Sequence, residues 1–361
     1  MTQAANFRAL AGVETGRFVR RNVRLESGAV LPELALAYET YGRLAADGRN
    51  ALLATHGYTS SHHAAGTYSG GNSDAGWWDA LIGPGKPIDT DRLFVVSSNM
   101  LGSAYGSTGP GSLDPRTGRH YGPDFPDITL GDIVAAQKAL LDHLGVEHLV
   151  AVAGPSFGGF QAFQWAVSYP AFMDGIVAAV TSPKPGAGGE ARLRELIERL
   201  SRDPNWNGGR YYERGGIVET LTQLRIETLK LYGIEARLAP AIPDRVAREA
   251  AIREVAAKWA REFDGHSLVV LRRAWTIFDA EKDFGRIKAR VLYALSRTDK
   301  LFPPDLAPDV MAKLKAAGVD AAYVPIDSEL GHMASHWDAA KWSAPLGAFL
   351  SPLIDRATHP T

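Results

Sequence analysis

A serine set among glycines can act as a nucleophile where the backbone turns sharply around it. The segment Gly154-Pro155-Ser156-Phe157-Gly158-Gly159 has that composition. It follows an apolar run, His148 to Ala153, that reads as a buried strand. It opens a stretch, Phe157 to Tyr169, that reads as a helix ending before Pro170. A strand–serine–helix turn presents the hydroxyl at the edge of a sheet, and small neighbours let adjoining backbone pass close to it. The start of the helix adds N–H groups and the positive end of a dipole, which favour a developing oxyanion. Ser156 is therefore the candidate nucleophile, and formation of an acyl-serine is the candidate chemistry.

A serine needs a base, and the base needs an orienting acid; on such an elbow they follow in the order serine, acid, histidine. Gly331-His332 lies a short loop beyond the strand-like run Ala321 to Ile326, which makes His332 the candidate base. His336 competes, but falls inside the next helix, where a solvated role is expected; His359 is in the tail and His56 precedes the nucleophile. Asp299, in the loop after the strand-like Ala289 to Leu295, is the candidate acid. Asp327 is a weaker alternative, and Asp279 and Asp283 precede that strand, at the wrong edge of the sheet. Phe157 N–H, directly after the nucleophile, and Tyr58 N–H, in the loop His56-Gly57-Tyr58-Thr59, are the candidate oxyanion donors.

The elements that must carry these residues form an α/β pattern. Phe18 to Leu25 reads as an exposed edge strand, followed by the alternating Leu31 to Tyr41 and the buried-type runs Ala51 to Thr55 and Leu93 to Ser97. A long Gly/Ser/Pro stretch, Gly102 to Asp127, reads as a loop that is functional or structurally special. Thr129 to Leu144 has caps and helical spacing, and Gly175 to Val180 is a further strand. Strands of near-continuous apolar character alternating with helices predict a mostly parallel sheet with helices on both faces, which together with the elbow reads as an α/β-hydrolase fold. From Glu190 to Phe263 the chain is charge-rich and helical, so residues 184–269 are expected to form a cap inserted after the sixth strand, with 1–183 and 270–361 making the core.

The 361 residues are 45% hydrophobic and 22% charged, with a net charge of -1, which gives no electrostatic reason to expect nucleic acid or an anionic membrane. The absence of cysteine excludes thiolate catalysis and Cys-ligated zinc. Met1 to Ala11 lacks a signal-peptide core and no apolar run spans a membrane, so a soluble cytoplasmic protein is expected. No metal site is expected; the His62-His63 pair reads as loop surface near the pocket mouth. The tail Asp355 to Thr361 is expected to be loose.

With these pieces placed, residues from about 15 to 350 resemble the homoserine O-acetyltransferase family of α/β-hydrolases. The likeness rests on LALAYETYG, Asn99-Met100-Leu101-Gly102, GSTGP at 106–110, FPDITLGDIVAAQKALLDHLG, the elbow, Asp203-Pro204-Asn205-Trp206, DKLFPP and the Gly-His pair. It implies a ping-pong mechanism in which Ser156 takes an acetyl group and His332 activates an acceptor hydroxyl, and it implies a homodimer built through the cap helices. It matches the family's carboxylate-binding arginine to Arg225 and its companion tyrosine to Tyr232. The family's aspartate after the catalytic histidine, which holds the acceptor's ammonium group, is Met333 here. Methionine cannot neutralise a buried cation. On that departure, Met333 suggests an apolar acceptor side and hydrolysis of short, acetyl-type carboxylic esters, with no cofactor. The alternative is O-acetyl transfer to homoserine or another alcohol, with acetyl-CoA as co-substrate.

Overall fold

The computed structural model describes residues 13–68 and 75–358. Met1 to Ala11 and His359 lie outside the described residues, as does the end of the tail. The strands are β1 (Glu14–Arg24), β2 (Val30–Tyr41), β3 (Ala51–Thr55), β4 (Phe94–Ser98), β5 (Leu149–Pro155), β6 (Met173–Ala179), β7 (Arg290–Ser296) and β8 (Ala321–Ile326). They form one sheet in the order β1-β2-β4-β3-β5-β6-β7-β8. β1 pairs with β2, and β2 with β4, antiparallel; every other pair is parallel. This is the expected α/β-hydrolase architecture.

Because successive strand residues face opposite sides, the central strands feed two cores. Leu53 and Val152 join one, with Ile133 and Leu140 of α1 (Leu130–His143) and Phe160 and Phe163 of α2 (Phe157–Ser168). Leu52, Ala151 and Ala153 join the other. Both cores are apolar and nearly solvent-free, which explains why these strands carry no polar alternation. α1 begins at a capping box in which Thr129 and Asp132 exchange side-chain and backbone hydrogen bonds, the arrangement that satisfies free N–H groups at a helix start.

The Gly102 to Asp127 stretch has a structural use. Where β2 runs beyond its pairing with β4, Thr108 N–H donates to Ala35 O, while Ala35 and Ala37 N–H donate to Thr108 Oγ1 and Ser107 Oγ. The GSTGP motif thus satisfies backbone groups that would otherwise be an open sheet edge.

Between β6 and β7 the chain runs through five helices: α3 (Gly189–Ser201), α4 (Val218–Tyr232), α5 (Ile234–Leu238), α6 (Arg245–Glu262) and α7 (Gly265–Thr276). Leu200, Leu221, Trp259 and Leu268 from them share a separate apolar cluster. α7 crosses residue 269 and belongs to both bodies: Leu268 and Val269 pack into that cluster, while Val270, Leu271 and Ala274 pack into the main core. The chain closes with α8 (Ala307–Ala316), the short α9 (Ala334–Trp337) and α10 (Ser343–Thr358), whose Leu346, Leu350 and Leu353 cover the second core. Asp355 to Thr358 are therefore helical rather than loose, because the buried Leu353 and Ile354 hold this end against the sheet. No described helix is long and apolar enough to cross a membrane.

Candidate active site

β5 delivers Ser156 with φ 55° and ψ −121°, a backbone conformation that costs a non-glycine residue about 1–3 kcal/mol. Its surroundings hold it there. Ser156 N–H donates to Ala179 O at 2.8 Å, and Thr181 Oγ1 donates to Ser156 O at 2.7 Å. The glycines are demanded by close approach: a Cβ on Gly154 would stand 2.2 Å from Thr55 Oγ1, and one on Gly158 would stand 2.1 Å from Thr55 O. Thr55 Oγ1 in turn donates to Gly158 O at 2.9 Å, clamping the first turn of α2 against β3.

β7 and β8 are parallel neighbours, so the loops after them leave the sheet side by side. They carry Asp299 and His332, both buried. His332 Nδ1 donates to Asp299 Oδ2 at 2.8 Å, and the other carboxylate oxygen accepts Leu301 N–H at 2.8 Å. Thr298 ties the loops together, donating to Ser328 O at 2.9 Å and accepting Gly331 N–H at 3.1 Å. This pairing fixes the imidazole tautomer with Nε2 unprotonated, the state a general base requires. His336 is half-buried rather than solvated: Ser335 Oγ lies 3.0 Å from its Nδ1 and Trp77 packs near its ring. Burial, then the charge of His332, pushes its pKa down to about 3. Asp327 is exposed and pairs with Arg297 at 2.9 Å, away from His332.

A cavity of about 610 Å³ opens beside Ser156. Tyr58, Phe157, Arg225 and Tyr232 line it. The rings of Tyr58 and Phe157 stack with centroids 6.0 Å apart, and neither residue's N–H donates to a protein acceptor among the described residues. Arg225 and Tyr232 stand two turns apart on α4, and the Tyr232 ring lies 4.6 Å from that of His332. Arg225 donates to Thr59 Oγ1 at 2.7 Å and its guanidinium rests 4.9 Å from the Trp259 ring. Its Nε is buried without an acceptor, and no carboxylate pairs with it among the described residues. Burial pulls its pKa below the ordinary arginine value. Met333 ends the single turn Gly331–Met333 and, like His332, is not among the residues forming the cavity wall.

Several contributors were not evident in the sequence. His56 is fully buried behind the oxyanion loop; its Nδ1 donates to Gly57 O at 2.8 Å and its Nε2 accepts Met100 N–H at 3.0 Å. Gln161 on α2 donates to His56 O at 3.0 Å and accepts from Gln137 of α1 at 2.7 Å. Arg272 of α7 also lines the cavity. Its position was readable in principle, because Leu268, Arg272 and Trp275 share one helix face. His62 and His63 are half-buried against Glu39 of β2 rather than at the cavity, which they do not line. Tyr41, Tyr68 and His63 hydrogen-bond that fully buried carboxylate; burial raises its pKa, but these bonds outweigh burial and hold it below the usual value. Among the described residues, no cluster of three or more His, Asp or Glu is placed to hold a metal ion.

Comparison with known proteins gives this geometry its context. Residues 50–339 match the α/β hydrolase fold family. The chain is 37% identical to homoserine O-acetyltransferase of Solidesulfovibrio magneticus, over 92% of this chain and 90% of that one. It is 36% identical to homoserine O-succinyltransferase of Methylibium petroleiphilum, over 98% and 97%. The crystal structure of esterase E22 superposes with a TM-score of 0.86 at 29% identity, covering 94% of this chain and 100% of that one. These findings overturn ester hydrolysis as the principal reading: at the higher identities, across nearly the whole chain, the relatives are acyltransferases. The physical reason lies in the cavity. Met333 is not on its wall, so its apolar side chain does not make that wall apolar, while Arg225 places there a guanidinium that no described carboxylate pairs with.

Proposed function

The chain belongs to the homoserine O-acetyltransferase family of the α/β-hydrolase superfamily, and from that membership we propose that it transfers an acyl group from a coenzyme A thioester, through Ser156, to the hydroxyl of a small carboxylate-bearing alcohol such as homoserine. The observation that carries the proposal is Arg225, a half-buried cation with a buried Nε and no acid partner among the described residues, in the same cavity as the elbow serine. A partly desolvated guanidinium without a counter-charge gains most from a ligand that supplies an anion. A guanidinium facing the cavity suits a carboxylate-bearing ligand, and the acceptor alcohol named for the acyltransferase relatives supplies one.

In the first half-reaction, Ser156 Oγ attacks the thioester carbonyl while His332 Nε2 takes its proton. Asp299 holds the imidazole and stabilises the imidazolium that forms. The oxyanion is received by the Phe157 and Tyr58 amides; losing one such donor typically costs about 2.7–4 kcal/mol of transition-state stabilisation. The C–S bond then breaks and His332 returns its proton to the departing thiolate. In the second half-reaction, the acceptor's carboxylate sits on Arg225, with Tyr232 beside it, and its hydroxyl reaches His332 in place of water. The proton passes to His332 and then back to Ser156 Oγ as the serine ester breaks.

No bound cofactor takes part; the coenzyme A thioester is a co-substrate. We also propose a homodimer through the cap helices, supported by the exposed apolar side chains Leu231, Val246 and Val255 on α4 and α6. The test of acyl transfer is release of coenzyme A from acyl-CoA with and without homoserine. Release that depends on homoserine and yields the O-acyl ester is expected. Release at one rate regardless of homoserine, with free acid as the product, would overturn the proposal.

A further inference from the structure

Both candidate oxyanion amides belong to peptides whose carbonyls are held from behind. A trans peptide is planar, and its C=O and N–H point in opposite directions. A donor fixed on the carbonyl of Ser156 therefore aims the N–H of Phe157, and one fixed on the carbonyl of Gly57 aims that of Tyr58. Side chains supply both: Thr181 Oγ1 donates to Ser156 O at 2.7 Å, and His56 Nδ1 donates to Gly57 O at 2.8 Å. The peptide that Thr181 holds is also the one that leaves the nucleophile.

A strained turn places Thr181. β6 ends at Ala179, and Val180 takes φ 44°, a left-handed conformation that β-branched residues rarely adopt. Such strain persists where the surroundings over-determine it. Val180 N–H donates to Ala294 O of β7 at 2.7 Å, and the Tyr293 hydroxyl, also of β7, donates to Thr181 O at 2.8 Å. The residues on either side of Val180 then grip Ser156: Ala179 O accepts its N–H, and Thr181 Oγ1 donates to its carbonyl. Gly159 completes the fit, since a Cβ there would stand 2.3 Å from Thr181 Cγ2. Thr181 and Tyr293 are fully buried and neither lies on the cavity wall, so neither reaches the substrate.

We propose that Thr181 is a positioning residue for the oxyanion. Its hydroxyl, anchored through Tyr293, aims and polarises the Ser156–Phe157 peptide, so that the Phe157 N–H meets the negative charge forming on the acyl carbonyl. Hydrogen bonds in a chain polarise one another, so a bond accepted by an amide carbonyl strengthens donation by that amide's N–H. The arrangement is complete before reaction and needs no reorganisation during it. This inference rests on the reading above in taking Ser156 as the acyl carrier, whatever the acceptor. An oxyanion forms when the serine is acylated and again when its ester is discharged, so both half-reactions depend on Thr181 alike.

The test measures both half-reactions in Thr181→Val, which keeps the shape and removes the hydroxyl. Ser156 O still accepts from the Gly159 and Phe160 N–H groups, so no carbonyl is left unpaired. Acylation of Ser156 by saturating acetyl-CoA and discharge by homoserine should each slow on the order of tenfold, the loss of one hydrogen bond, with KM for both substrates within about twofold of wild type. Thr181→Ser, which keeps the hydroxyl, should retain rates near wild type. Wild-type rates in Thr181→Val would overturn the proposal. So would a loss carried by KM, or an equal loss in Thr181→Ser, which would place the effect in the packing of the methyl group. Tyr293→Phe should slow both steps by a few-fold, and unchanged rates in it would overturn the proposal should Thr181→Val fail to fold. The acylation burst with p-nitrophenyl acetate separates this inference from the acyltransferase reading. A wild-type Ser156 that the ester acylates and acetyl-CoA does not would bring down that reading alone, and the burst rates of wild type and Thr181→Val would still decide the role of Thr181.

Discussion

The buried histidine behind the oxyanion loop makes the stability of this protein depend on pH in a calculable way. His56 donates from Nδ1 to Gly57 O and accepts at Nε2 from Met100 N–H, so both ring nitrogens are committed to the neutral tautomer. A proton on Nε2 would face another donor, the Met100 N–H, in a fully buried site. Burial is the main cause of its displaced pKa, pushed down to about 4 from 6.5. Because the folded value lies below the unfolded one, the unfolded chain binds the proton first as pH falls. The stability this histidine contributes is present in full above about 6.5 and is lost progressively toward 4. A shift of that size at about 1.36 kcal/mol per pKa unit corresponds to about 3 kcal/mol, an upper bound because relaxation reduces it. The comparison is wild type against His56→Gln, which does not titrate but can still accept from Met100. Urea unfolding of both, from pH 7 to pH 4, cancels the contribution of carboxylates and of His336. The wild-type curve should fall more steeply, by up to about 3 kcal/mol across the window. Parallel curves would show that His56 is not held neutral and would refute the reasoning.

Four further outcomes are expected. Ser156→Ala and His332→Ala should each remove nearly all acyl transfer, and Asp299→Asn should reduce it by several orders of magnitude through loss of imidazole orientation; steady-state kinetics with His336→Ala as an active control checks the assignment. Arg225→Met should lower kcat/KM for the acceptor about ten- to a hundredfold, the loss of one charge-assisted hydrogen bond, while pre-steady-state acylation of Ser156 by acyl-CoA stays unchanged. Met333→Asp should raise kcat/KM for homoserine relative to a hydroxy acid that lacks the amine, since it restores a counter-charge; an unchanged ratio would remove Met333 from acceptor recognition. Val246→Glu together with Val255→Glu should convert a dimer to a monomer in sedimentation velocity, and an unaltered dimer would place the interface elsewhere.

Different parts of this molecule were legible for different physical reasons. The elbow could be read because its demands are local: an apolar strand, a serine and glycines at fixed positions, and a helix start. Asp299 and His332 could be placed by chain order, because parallel neighbouring strands release their loops at one edge. The buried Gln137–Gln161–His56 chain was not legible, since polar residues at helical spacing look the same whether they face water or one another. His62 and His63 read as loop surface because nothing local reveals that the carboxylate of Glu39 waits beneath them. The charge state of the cavity was the costliest omission. Met333 is visible as a residue type, and it pointed toward water as the acyl acceptor. The absence of an acid beside Arg225 or Arg272 is a property of the folded wall, and only the fold discloses it.

The central claim is that an alcohol, not water, discharges the acyl-serine. The direct measurement is a chase: wild-type enzyme is acylated with acyl-CoA, freed of excess donor, and mixed with buffer alone or with homoserine, while the acyl group on Ser156 is followed by intact mass. The expected result is an adduct that persists in buffer and is discharged on mixing with homoserine, with one equivalent of O-acyl ester formed per serine freed. Discharge at the same rate in buffer, with only free acid released, would contradict it.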